Sequence, residues 1–167
     1  MESGKWKVEG GSRRSIKAQV KLNAVIAIVL KDFAIFIGRS GWRGKENDCV
    51  NLFAHRFLAK RIRPVDRIGI EVAVPQIGGE RRKQAVRKDL VVWKRSGQTT
   101  WGKDWKAKAV PQAILEWKVK RGPAAKASIS ARDRAWLIRF KRKHREFIGV
   151  CVTVAFGEKA HVRWEFV

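Results

Sequence analysis

Apolar positions recur along this chain in two rhythms, and the change from one to the other divides it. From about Ser15 to Ile37 the residues Ile16, Val20, Ala24, Ala27 and Val29 fall at helical spacing around a continuous apolar middle, Asn23 to Leu30. That pattern predicts one or two packed helices. The stretch Gly38 to Gly44 (GRSGWRG) is rich in turn residues and breaks it. A second amphipathic helix is expected from about Glu46 to Arg61, with Val50, Phe53, Phe57 and Leu58 on its stripe, Ile62 just beyond, and Pro64 closing it.

The rhythm then shortens to two. Ile68, Ile70, Val72 and Val74 alternate with other residues up to Pro75 and read as a strand. A basic, Gly-containing connection (Gln76 to Lys88) leads to a second strand, Asp89 to Trp93, and a third runs from Ala113 to Val119. Between those two lies a polar, Lys-rich stretch, Lys94 to Val110. A helix is expected from about Ala131 to His144, with Trp136, Leu137 and Phe140 inward and Arg and Lys outward. Two final strands, Ile148 to Phe156 and Ala160 to Phe166, flank a turn at Gly157 and Glu158. The order helix, strand, strand, strand, helix, strand, strand predicts an α/β sandwich with a mixed sheet of about five strands between helices.

Composition narrows the class. A chain of 167 residues is long enough for one domain with a hydrophobic core, and its 45% apolar content argues against disorder. We expect a single domain over 1–167, comprising a flexible polar lead-in (1–12), an N-terminal helical extension (13–45) and a core (46–167). Cys49 and Cys151 sit in apolar settings without a second Cys or His at ligand spacing, as reduced core thiols of a cytoplasmic protein do. Asn23 to Leu30 falls far short of the roughly 20 apolar residues of a membrane span, so no membrane partner is expected. The charge changes the picture most. Against 38 Lys and Arg stand 15 Asp and Glu, a formal net charge of +23. Such an excess repels itself but concentrates polyanions and speeds their capture, which makes nucleic acid the expected partner.

Candidate chemistry lies on the second and third strands. Asp89 opens the one, and Glu116 and Lys118 sit in the middle of the other. At i and i+2 they share a strand face, opposite Leu115, Trp117 and Val119. Charges set into an apolar strand are costly unless paired or bound to a metal. An isolated Glu-x-Lys is most simply a surface salt bridge; within ILEWKV, beside an Asp-led strand in a basic chain, it reads as an active site. Two carboxylates with water and phosphate oxygens suit Mg²⁺.

The succession Glu46, Asp89, Glu116-x-Lys118, with helix, three strands, helix and two strands, resembles the PD-(D/E)XK nuclease superfamily, whose fold is restriction-endonuclease-like. The resemblance implies Asp89 and Glu116 as ligands of Mg²⁺ (or Mn²⁺), Lys118 as the catalytic lysine and Glu46 as an added acidic residue from the first core helix. Glu71 is the rival for that last role, and Glu46 also reads as an ordinary first-turn acid favoured by the helix dipole. Lys88 stands where the family's namesake proline would be. The expected activity is hydrolysis of DNA, or alternatively RNA, by metal-activated water, with symmetric cutting by a homodimer as an extension. A catalytically dormant nucleic-acid-binding protein of the same fold is the other reading. Trp101 and Trp105, beside Lys103 and Lys106, would stack on unpaired bases or cap the sheet, and Arg142 and Lys143 would touch phosphates or simply be solvated. His55, His144 and His161 are scattered and receive no role.

Overall fold

The computed structural model describes residues 13–77, 85–98 and 109–167, with side chains from residue 21 onward. Helix α1 (Arg13–Arg39) comes first, followed by α2 (Glu46–Leu52). The expected longer second helix changes pitch after Leu52: a wider π turn (Phe53–Phe57) and a 3₁₀ turn (Leu58–Lys60) finish it. Within the wider turn Phe53 and Phe57 both meet the edge of Phe33, each at 5.5 Å between ring centres.

Five strands follow: β1 (Ile68–Pro75), β2 (Ala85–Val92), β3 (Ala113–Arg121), β4 (Ile148–Phe156) and β5 (Ala160–Phe166), with α3 (Ala131–Lys143) between β3 and β4. They form one sheet in sequence order. β1, β2 and β3 are an antiparallel meander, β4 lies parallel to β3, and β5 returns antiparallel to β4. The parallel β3–β4 pair needs a crossover, and α3 supplies it. The predicted α/β class and five-stranded mixed sheet flanked by helices are the observed ones.

Two apolar layers hold the helices to the sheet. On one face α1 buries Leu22, Ile26, Val29, Leu30, Phe33 and Ile37 against Leu115, Trp117 and alternate residues of β4. These positions repeat every three or four residues, the stripe a helix offers to a flat partner. The segment 13–45, expected as an extension, thus shares one core with the sheet. On the other face Leu137 and Phe140 of α3 pack on Val91, Ile114 and Cys151. All nine residues of β4 are buried because both faces of this strand are covered. Cys49 and Cys151 are free and buried, and burial pushes both thiols up to about 12. Among the described residues no helix is long and apolar enough to cross a membrane.

One boundary moves in a way that matters. Asp89 does not open its strand: β2 begins at Ala85, and Ala85 to Lys88 pair with Val72 to Pro75 of β1. Arg87 and Lys88, just before Asp89, are strand because β1 offers an edge there, which two charged residues do not signal by themselves.

Candidate active site

The site forms where the sheet splits. β2 and β3 pair only at Leu90 with Leu115, Val91 with Ile114, and Val92 with Ala113. Beyond Leu90 the strands part, β2 staying with β1 while β3 follows β4 for nine residues. Asp89 and Glu116 are the first residues past the last pair, so they stand at the crotch of the fork. There the Trp117 N–H has no β2 carbonyl to meet and donates instead to Asp89 Oδ2 at 2.7 Å. A carboxylate thus substitutes for a lost ladder bond, which fixes Asp89 and satisfies a backbone donor at once.

Lys118 lies two residues further along β3. Its ammonium donates to the Trp117 carbonyl at 2.7 Å and stands 3.4 Å from Glu46 Oε1 and 3.8 Å from Asp133 Oδ2. Glu46 comes from the first turn of α2 and Asp133 from the first turn of α3. Burial works against the charge on Lys118, but the fields of Glu46, Asp133 and Asp89 outweigh it and raise its pKa. Lys118 is therefore held as a cation.

Glu116 is only 6% exposed and forms an ion pair with Lys88, itself 5% exposed. The Lys88 ammonium also lies over the Trp136 ring, 3.5 Å from its centre. Burial pushes the Glu116 carboxyl up to about 7; Lys88 opposes the rise, and Asp89 and Asp133 add to it. Between pH 4.5 and 7 the folded protein therefore holds a proton that the unfolded chain has released. This linked stability is fully present below about pH 4.5 and is lost as pH rises through about 7. Thermal melts from pH 4 to 8 should show this component in the wild type and its absence in Glu116→Gln. Parallel pH profiles of the two proteins would contradict it.

The structure thus brings Asp89, Glu116, Lys118 and Glu46 into one cluster. Sequence reasoning missed two members. Asp133 hides as a helix-start residue, its N–H donating to the Ser130 hydroxyl that caps α3, yet its Oδ2 is buried without a hydrogen-bond partner. Lys88 was visible only as a missing proline. Of the two candidates for the added acidic residue, Glu71 pairs with exposed Arg87 at 3.3 Å, whereas Glu46 stands 3.4 Å from Lys118.

No family model, no curated protein and no solved structure matches the chain.

The phosphate-contact candidates fare differently. Trp101, Lys103, Trp105 and Lys106 lie outside the described residues. Arg142 and Lys143 are exposed in the last turn of α3, nine and ten residues from Asp133, hence about 14 Å along the axis from the site. Nearer cations went unnoticed: Lys120, Arg121 and Lys126 line an open cleft of about 730 Å³ where β3 leaves the fork. Their signal was the basic continuation of Lys118 in sequence, Lys120-Arg121.

Among the described residues no three His, Cys, Asp or Glu side chains are gathered as a ready metal-ligand set. The donors nonetheless suit a hard divalent cation. They are all oxygen, Asp133 offers a buried one that makes no hydrogen bond, and four carboxylates face two ammonium groups, leaving two negative charges when all are ionised.

Proposed function

We propose that this chain is a divalent-metal-dependent nuclease that hydrolyses phosphodiester bonds, with DNA as the preferred substrate. The observation that carries the reading is the convergence of Asp89, Glu116 and Lys118 at a split in the sheet, in a chain of formal charge +23. The order helix, antiparallel meander, crossover helix and parallel strand supports the resemblance to PD-(D/E)XK nucleases noted from the sequence. In this reading Asp89 and Glu116 would hold Mg²⁺ or Mn²⁺, with the buried oxygen of Asp133 beside them. The ion would polarise the phosphodiester and make water a better nucleophile at neutral pH. Lys118, fixed as a cation by Glu46 and Asp133, would hold the attacking water and offset charge that develops on phosphate oxygens. Lys120, Arg121 and Lys126 would draw the backbone toward the fork.

The test is hydrolysis of linear, circular and single-stranded DNA and of RNA in Mg²⁺ and in Mn²⁺. Lys118→Ala is expected to cut at least about a hundredfold more slowly while still binding nucleic acid. Equal cutting by the wild type and this variant would reject the assignment. One observation favours the second reading, a dormant nucleic-acid-binding protein: Lys88 already pairs with Glu116 in a buried setting, so an ion must displace it. Salt-sensitive binding without cleavage in either metal would choose that reading.

A further inference from the structure

A second site lies at the closed end of the β2–β3 pair, away from the fork. Past Val92 the chain leaves β2 and carries Lys94 and Arg95 to the rim of a cavity of about 530 Å³. At about 3.3 Å per residue this rim is roughly 17 Å from Asp89. Arg61, Arg63 and Arg67, from the segment that joins α2 to β1, line a second side, and Lys21 of α1 the third. Leu22, Val25 and Ile62 make an aliphatic wall, and the Gln112 side chain is the polar non-ionic group among the lining residues.

Six cations around one cavity repel each other, and the structure does little to neutralise them. Among the described residues Lys94 has Glu146 at 3.5 Å, an exposed pair. Arg67 uses two of its guanidinium N–H groups on backbone oxygens, those of Trp93 at 3.0 Å and Arg63 at 3.2 Å, which locks it in place without cancelling its charge. Asp66, next in sequence to Arg67, turns its carboxylate to the Ser96 hydroxyl and the Gly97 N–H. Lys21, Arg61, Arg63 and Arg95 have no carboxylate partner among the described residues. The scaffold beneath is rigid: the Gln112 N–H donates to the Val92 carbonyl at 2.8 Å and its carbonyl accepts from Ile148 at 2.9 Å.

We infer that this cavity binds a nucleotide through its phosphate. The unneutralised Arg and Lys groups supply forked and point-charge donors for phosphate oxygens. The wall of Leu22, Val25 and Ile62 offers apolar contact to sugar and base, and the Gln112 amide can both donate and accept at a base edge. The volume lies in the range of small-ligand sites and accommodates one nucleotide. The same chemistry has two sources, a free nucleotide or the phosphorylated end of a strand. The inference stands independently of the nuclease reading, since none of the fork residues takes part.

Binding is measured at physiological salt with three probes: inorganic phosphate, adenosine 5′-monophosphate, and a tetranucleotide with and without a 5′-phosphate. Wild type is expected to saturate at one equivalent with the monophosphate or with the phosphorylated tetranucleotide, more tightly than with phosphate alone. The pair Arg61→Gln/Arg95→Gln should weaken that binding at least about tenfold, while Lys159→Gln/Arg163→Gln, an equal loss of exposed charge elsewhere, changes it less than about twofold. Lys94→Gln/Arg95→Gln, confined to the loop after β2, provides a second variant should the first melt early. Saturation by the phosphorylated tetranucleotide alone assigns the site to a strand end; saturation by the monophosphate assigns it to a free nucleotide. Equal weakening in the control pair, or no saturable binding of any probe, overturns the inference.

Discussion

Asp89→Asn is expected to abolish Mn²⁺ binding in a calorimetric titration and to slow phosphodiester cleavage by about a hundred- to a thousandfold. The substitution preserves shape and keeps an oxygen that can accept from the Trp117 N–H, so the fork should stay closed around it. What it removes is one of the negative charges that the ion would need. It also removes a neighbour that raises the Glu116 pKa, so that carboxyl should titrate lower in the variant. These readouts separate a lost site from a lost fold: the melting temperature at neutral pH should hold while the ion no longer binds. Equal Mn²⁺ binding by variant and wild type would remove Asp89 from the site.

The second large effect is structural. Trp117→Ala is expected to cost about 3–5 kcal/mol of stability, read as a lower urea midpoint at unchanged slope. Trp117 is fully buried, its ring edge-on to Phe33 at 5.5 Å and tilted against Phe53 at 5.1 Å. It stands on the back of the strand whose front carries Glu116 and Lys118, so the cavity left by its loss opens directly beneath the site. Trp117→Phe should cost much less, about 1 kcal/mol, because the indole N–H is buried without a partner and its removal offsets part of the lost contact. A Trp117→Ala midpoint close to that of the wild type would mean that the α1–α2 layer closes over the gap.

The two predictions meet where the Trp117 N–H of β3 donates to Asp89 of β2, and the pattern of β3 is the part of this site that the sequence shows most plainly. In Ala113 to Val119 the apolar residues that face α1 and the charged residues that face the site alternate, and a period of two was enough to separate them. The parallel pairing of β3 with β4 was not legible, nor was the early parting of β2 from β3. Hydrogen-bond partners are chosen between distant segments, and no local pattern encodes where a pairing stops. Glu46 shows the limit from another side. Its place on the helical stripe pointed it toward the sheet, but a first-turn acid favoured by the helix dipole looks the same. Only the 3.4 Å approach to Lys118 separates the two.

Taken alone, the sequence determined the quantities that sum or repeat along a chain. These are the excess of positive charge, the order of helices and strands, the strand face shared by Glu116 and Lys118, and the two thiols without ligand neighbours. They follow from residue type and from the periods 2 and 3.6, which are local properties of the backbone. The tertiary structure alone decided what depends on separated segments meeting. It continued β2 back to Ala85, opened the fork at Asp89, and drew Lys88 to Glu116 and Asp133 to Lys118. It also collected cations from α1, the α2–β1 connection and the end of β2 around one cavity. Those outcomes are set by packing and by which backbone donors remain to be satisfied, and both are fixed only once the sheet has closed on its helices.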